Sequence, residues 1–437
     1  MSVQKVKELQ YEGEFFSSQL QKEIKEKFYF LDNDPNYGER LFFENSGGSL
    51  RLKSVVEIKE FIERFPDCPD RVHPRSIDLQ QIKKQGIEDM TKVIFGADNG
   101  SIITQLSASQ VMFQIAETIA ENVPGKNIVT SEMEHPSAYD AASYAAQKMD
   151  MELRVAKVNP ETGGIDAAEV ASLVDKDTCF ISIMSASNIS GTIMDMKEIT
   201  AQARKIKPDL YVITDAVQHA PHGVIDVKDT GVDAVTMAPY KFFGNRGIGV
   251  GWVSPRLANL RHHKLLAKKS DEWELGSPTP SNYASISAIV DYVCWIGKHY
   301  SDTKDRRELF MKGMEKIHLH ERALLSALLN GTENVRGLRQ NSNVTVYTDT
   351  ESLLYKDLIV AIGFNHLDYT AAAREYEKRG CIVFERIMGS PYSERMLIAL
   401  GIPGAIRISP MHCHDIADIE KFLQMTESIS ELNKIEN

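Results

Sequence analysis

Short apolar runs alternate with helix-spaced amphipathic segments through most of the chain. Runs at 101–106, 127–130, 153–158, 180–185, 210–213 and 234–237 are too short for helices and are bounded by polar turns. That pattern suits buried strands of a mostly parallel sheet. Between and beyond them the apolar positions recur at helical spacing. Examples are 76–96 (Ile77, Ile82, Ile87, Met90, Val93, Ile94), 111–122 and 283–300 (Ile286, Ile289, Val290, Val293, Ile296). Strand and helix in alternation predict an α/β fold. From about 303 the order changes to helix (304–329), strands (344–347, 358–364), helix (369–378), strand (381–384) and a last helix starting near Ile416. This predicts a small α+β C-terminal domain, 303–437, after a large sheet domain, 41–302, and a helical, charged segment, 1–40.

Composition adds limits. The chain has 437 residues, enough for two domains, with 43% hydrophobic and 25% charged residues. Its net charge of −11 disfavours nucleic acid and anionic membranes as partners. No apolar stretch reaches membrane-spanning length, and the N-terminus lacks a signal-peptide core. The five cysteines (Cys68, Cys179, Cys294, Cys381, Cys413) form no CxxC pair, so neither a disulfide framework nor a zinc ribbon is indicated. No metal is expected, and a reducing cytoplasm is the default location.

The chemistry concentrates between Tyr211 and Ser254. Asp215 follows one apolar run, and Lys241 follows the next. Carboxyl ends of parallel strands are where open α/β sheets place ligands. Taken singly, an Asp after a strand is usually a turn residue and a Lys is usually solvated. Lys241, however, lies between an apolar run and Phe242-Phe243, a setting that lowers an amine's pKa and makes it a nucleophile. Pyridoxal phosphate requires such a pair: a lysine to hold it as a Schiff base and a carboxylate at its pyridine nitrogen. The glycine run 244–251 is not a dinucleotide fingerprint, since strand rather than helix follows it. A second candidate element is Ser107-Ala108-Ser109-Gln110, a small-residue turn between strand and helix. It is either an ordinary serine cap or a phosphate site.

Asp-Ala-Val-Gln-His at 215–219 and Tyr-Lys-Phe-Phe-Gly-Asn-Arg-Gly-Ile-Gly at 240–249 resemble the signature of the class V aminotransferases, a family of pyridoxal-phosphate enzymes that includes the cysteine desulfurases. The resemblance extends from about 41 to about 423. It implies the fold type I architecture of these transferases and a homodimer with shared active sites. It implies pyridoxal 5'-phosphate as cofactor, held by Ala108 and Ser109 at the phosphate, Gln218 at the phenolic oxygen, His135 on the ring face, Asp215 at the ring nitrogen, and Lys241. Ser277 would reach the neighbouring subunit's phosphate. Asn188 would contact cofactor or substrate, Ser46 and Gly47 the substrate, and Arg407 its α-carboxylate, for which a guanidinium fork is suited. His135, as an imidazole, is also a candidate for proton exchange.

Two departures from the family pattern matter. Where the family has Ser-x-His before the lysine, this chain has Ala238-Pro239-Tyr240, leaving only the Tyr240 hydroxyl. Desulfurases also need a thiol on the loop after a Gly-Ile-x-Val-Arg strand. Here Gly380-Cys-Ile-Val-Phe384 is followed by Glu-Arg-Ile-Met-Gly-Ser-Pro-Tyr392, without cysteine. Transamination of an α-amino acid through Lys241 is therefore the leading expectation. A cysteine desulfurase-like C–S lyase is the alternative, and epimerisation ranks below both.

Overall fold

The computed structural model describes residues 13–66 and 68–432. Seven strands form the central sheet: β1 (Ser101–Gln105), β2 (Asn127–Ser131), β3 (Glu152–Ala156), β4 (Thr178–Met184), β5 (Tyr211–Asp215), β6 (Ala234–Met237) and β7 (Gly249–Val253). Their order is β1-β7-β6-β5-β4-β2-β3. Strands β2 to β6 run parallel, and β7 lies antiparallel to both β6 and β1. Every residue of β2, β4, β6 and β7 is buried. Covering both faces of a sheet demands this, and it explains why these strands show as unbroken apolar runs.

The helix Ala108–Asn122 shows how one segment is specified. Ser107 has extended dihedrals and its hydroxyl accepts from the Gln110 N–H at 3.3 Å, which starts the helix. Val111, Met112, Ile115, Ala116 and Ile119 form its buried stripe. Val123, Pro124 and Gly125 end it. The expected helix over 76–96 is present as Pro74–Glu88 continued by a π-helical stretch, Asp89–Ile94.

The C-terminal unit holds a second sheet: β8 (Val344–Tyr347), β9 (Val360–Phe364), β10 (Phe384–Ile387) and β11 (Gly404–Ile408), ordered β8-β9-β11-β10 and antiparallel throughout. The expected strand 381–384 divides. Cys381–Ile382 pairs in parallel with Leu41–Phe42, and the chain then enters β10. Sequence pattern missed β10 because Glu385 and Arg386 are charged and resemble loop residues. The lead-in segment is only partly helical. Within it Ser18–Glu26 is a helix, while 1–12 lie outside the described residues. The Phe43 ring packs on Phe422 and shares one buried cluster with Leu324 and Ile406, which ties the segment after Leu41–Phe42 to the C-terminal unit.

The glycine run has a steric cause. At Gly249 a Cβ would lie 2.1 Å from the Ala108 backbone nitrogen and from the Ser107 carbonyl carbon. Strand β7 therefore presses directly on the turn that opens the helix Ala108–Asn122. Gly249→Ala is expected to force the two apart and cost on the order of 1–3 kcal/mol or more, as overpacking does. Chemical denaturation of the purified variant measures it; unchanged stability would show that the turn yields freely.

Candidate active site

The carboxyl ends of β4, β5 and β6 open on a partly enclosed cavity. Its walls include Ser107, Ala108, Ser109, His135, Ser137, Asn188, Asp215, Gln218, Thr236, Tyr240 and Lys241. Eight of the predicted site residues thus meet in one place. Arg407 and Ser46 are buried beside it.

Lys241 ends a short 3-10 turn, Pro239–Lys241, after β6. The turn is clamped by Ser49, whose hydroxyl donates to the Tyr240 carbonyl at 3.2 Å and accepts from the Phe243 N–H at 2.9 Å. Phe243 itself sits at φ +59°, a left-handed conformation that costs a non-glycine residue roughly 1–3 kcal/mol. Its ring packs on Phe28, Tyr292 and His412, which holds the backbone there. The Lys241 side chain is 7% exposed. Burial, aided by the Arg407 charge and opposed by Asp215, pushes its amine down to about 8.

Asp215 terminates β5, one strand away. Its Oδ1 accepts from the Val217 N–H at 2.9 Å and lies 3.5 Å from the Thr236 hydroxyl. Among the described residues no donor reaches Oδ2. Burial raises this carboxyl, while the Val217 N–H and Lys241 oppose the rise. A protonated ring nitrogen in the cavity would supply the missing donor. Gln218 Oε1 and Asn188 Oδ1 are likewise buried without a partner. The Gln218 amide donates to Ser46 Oγ at 3.2 Å. At the other end stands the helix N-terminus at Ala108, with the hydroxyls of Ser107, Ser109 and Ser137. Ser109 and Ser137 hydroxyls are 2.6 Å apart. Backbone N–H groups, hydroxyls and the helix dipole suit a phosphate. The cavity therefore fits pyridoxal phosphate at both ends.

Two expectations, on His135 and Arg407, need correction, and Ser277 lies away from its own chain's cavity. His135 is not poised for proton exchange near neutrality. Burial, with the Lys241 and Arg386 charges, pushes its imidazole down to about 3, and Nδ1 accepts from the Ser137 N–H at 3.2 Å. It is a neutral ring. Ser277 is absent from the cavity of its own chain; it is exposed, and its hydroxyl lies 3.5 Å from Asp70 Oδ2. Arg407 does not present an open fork. Its Nη2 donates to Glu44 Oε1 at 2.5 Å and its Nη1 to the Asn188 carbonyl at 3.0 Å. Gly47 lies against that pair, since a Cβ there would be 2.2 Å from Glu44 Oε1. Sequence reasoning also passed over Ser137, Glu44 and Arg386, and took in Ser107 only as part of the serine turn. Ser107 and Ser137 stand beside residues that were singled out, but their orientation needed the fold. Among the described residues no group of three or more His, Cys, Asp or Glu is placed to hold a metal, and no helix is long and apolar enough to cross a membrane.

Beneath the cavity Glu134 is fully buried. Its Oε1 accepts from Ser131 Oγ at 2.7 Å and from the Met184 N–H at 2.9 Å. Burial pushes its carboxyl up from 4.5 to about 8. Between those values the folded chain binds more protons than the unfolded one, so this group lowers stability as pH rises. Glu134→Gln keeps the accepting oxygen and removes that dependence. Its stability relative to wild type should grow from about pH 5 to about pH 8, by at most about 1.4 kcal/mol per pH unit. Urea denaturation across that range checks it; a constant difference would place an ionised Glu134 in the fold.

With this geometry in hand, comparison with known proteins is informative. The family model for aminotransferase class V matches residues 41–422. The cysteine desulfurase IscS of Dictyoglomus turgidum is 27% identical over 312 residues, 70% of this chain and 75% of that protein. A cysteine desulfurase of Yersinia pseudotuberculosis is 24% identical over 63% of this chain and 72% of its own. The solved cysteine desulfurase of Thermococcus onnurineus superposes with a TM-score of 0.78 at 19% identity, covering 94% of this chain and 98% of that one. The chain therefore belongs to the class V aminotransferase family, has the fold type I architecture and uses pyridoxal phosphate.

Proposed function

We propose that this enzyme removes the α-proton of an amino acid with Lys241 and transfers the amino group. The observation that carries this reading is the make-up of the cavity wall: a single buried amine and no thiol. Cys179, Cys294, Cys381 and Cys413 are buried elsewhere, and Cys68 is exposed outside the cavity wall. Pyridoxal phosphate, when bound, supplies an electron sink conjugated to the substrate's α-carbon. The protein's own groups do the rest. Lys241, held to about 8, is available as free amine at mildly alkaline pH, to bind the cofactor and then to carry the proton. Asp215 keeps a negative charge where the ring nitrogen must stay protonated. Asn188 and Gln218 offer their unpartnered oxygens to donors on cofactor or substrate. His135 gives a flat, uncharged face. The Ala108 helix start and the Ser107, Ser109 and Ser137 hydroxyls bind phosphate, with Tyr240 at the wall where the family's imidazole is missing. The substrate's carboxylate meets the arginine-bearing face of the small sheet.

The exposed position of Ser277 supports a homodimer in which it completes the partner's phosphate site. A second reading, C–S bond cleavage in a cysteine-like substrate, is favoured by the relatives' names. Direct elimination would need no acceptor thiol.

Two measurements follow. Borohydride reduction of the holoenzyme should fix the cofactor on the peptide bearing Lys241, seen by mass spectrometry. Lys241→Ala should lose that adduct and about 10²–10⁴-fold or more in turnover. Incubation with an amino-acid panel should release keto acids; sulfide with alanine or pyruvate from L-cysteine alone would replace transamination by the second reading.

A further inference from the structure

We infer that His219 and Asp357 are positioning residues for the cofactor: together with the linker between β8 and β9 they aim the two amide side chains, Gln218 and Asn188, that face the cavity. The inference rests on the reading of those amides as cofactor contacts and names what sets their orientation.

The need for such a device is visible in the amides themselves. Gln218 and Asn188 line the cavity, and Gln218 Oε1 and Asn188 Oδ1 are buried without a partner. The Gln218 amide nitrogen donates to Ser46 Oγ at 3.2 Å. An amide so sparsely bonded takes its aim from the backbone that carries it. Both backbones are loops after strand ends: 185–192 follows β4, and 216–223 follows β5.

Residues 355–357 grip both loops. On the Asn188 side, Thr192 and Lys356 form an antiparallel bridge. The Ile193 N–H donates to the Tyr355 carbonyl at 2.9 Å, and the Asp357 N–H donates to the Gly191 carbonyl at 2.8 Å. Lys356 is buried, and its Nζ donates to the Ser190 carbonyl at 3.0 Å and to the Thr348 carbonyl at 2.8 Å. Gly191 has φ +72°, and a Cβ there would lie 2.6 Å from the Ile359 carbonyl oxygen, so loop and linker touch directly. Arg407 Nη1 donates to the Asn188 carbonyl at 3.0 Å from β11, the neighbour of β9 into which the linker runs. The C-terminal unit therefore holds the Asn188 loop at two points.

On the Gln218 side, His219 Nδ1 donates to the Asp357 carboxylate, at 3.0 and 3.2 Å from its two oxygens. The Asp357 side chain is fully buried. Gly223 leaves room for the imidazole, since a Cβ there would be 2.3 Å from His219 Cε1. His219 adjoins Gln218 in the chain, so anchoring its ring anchors the turn that aims the amide. Neither His219 nor residues 355–357 line the cavity; they act through the groups they hold.

The test uses holoenzyme and reads the ratio of the absorption bands of the lysine-bound cofactor at one fixed pH. Gln218→Leu sets the scale for a lost amide. His219→Ala and Asp357→Ala should each change the ratio in the same direction, by about 2- to 10-fold, the worth of one hydrogen bond. A merely structural role would lower stability and leave the bands alone. His219→Asn, whose amide nitrogen can stand where Nδ1 does, should restore the wild-type ratio. The double variant of His219→Ala with Gln218→Leu should match Gln218→Leu, because the histidine acts only through the amide. A wild-type ratio in His219→Ala beside a changed one in Gln218→Leu would overturn the assignment, and so would full additivity in the double variant. If Gln218→Leu leaves the bands unmoved while the borohydride-fixed Lys241 adduct is complete, the amide does not face the ring; the proposal then falls and the reading of Lys241 stands. Should His219→Ala not fold, His219→Gln, whose amide lies one methylene too far out, is judged by the same outcomes.

Discussion

Burial of an amine and a carboxylate at neighbouring strand ends governs this molecule. Neither group would be tolerated there without compensation. Strands β5 and β6 bring Asp215 and Lys241 to one cavity by parallel pairing, with Asp215 opposite Thr236. Each moderates the other's desolvation, which leaves the amine basic enough to be useful and weak enough to be free. The surrounding structure serves that arrangement. Ser49 bridges both sides of the lysine turn, and the aromatic ring of Phe243 pins a backbone conformation that would otherwise relax.

Other charges are arranged around the same constraint. The positive end of the cavity is built from backbone and hydroxyl dipoles at Ala108 rather than from lysine or arginine. On the small sheet the Arg407 guanidinium is paired with Glu44. His135 is kept neutral by its own burial and by the Lys241 and Arg386 charges. An imidazole so placed contributes surface and shape rather than protons.

Kinship with cysteine desulfurases and the chemistry of this cavity pull in different directions. The relatives share the fold and the cofactor apparatus. This chain lacks a thiol after Gly380-Cys-Ile-Val-Phe384: 385–387 continue β10, and 388–393 form the turn that leads into the helix Glu394–Leu400.

Much of this was legible in the chain. The strands of the large sheet, the serine turn, Asp215, Gln218 and Lys241 lie in continuous segments whose local pattern carries both structure and chemistry. What escaped was set by pairing between distant segments. Arg386 reads as a loop residue until β11 lies beside β10. Glu44 and Arg407 are 363 residues apart, and nothing local announces that one occupies the other's fork. The ionisation of His135 and Glu134 depends on how completely the fold removes water. Hydrophobic periodicity is a property of neighbours in sequence, whereas charge balance is a property of neighbours in space. The amino-acid sequence alone therefore determined the fold class and the cofactor apparatus, and the tertiary structure alone decided how the buried charges are paired.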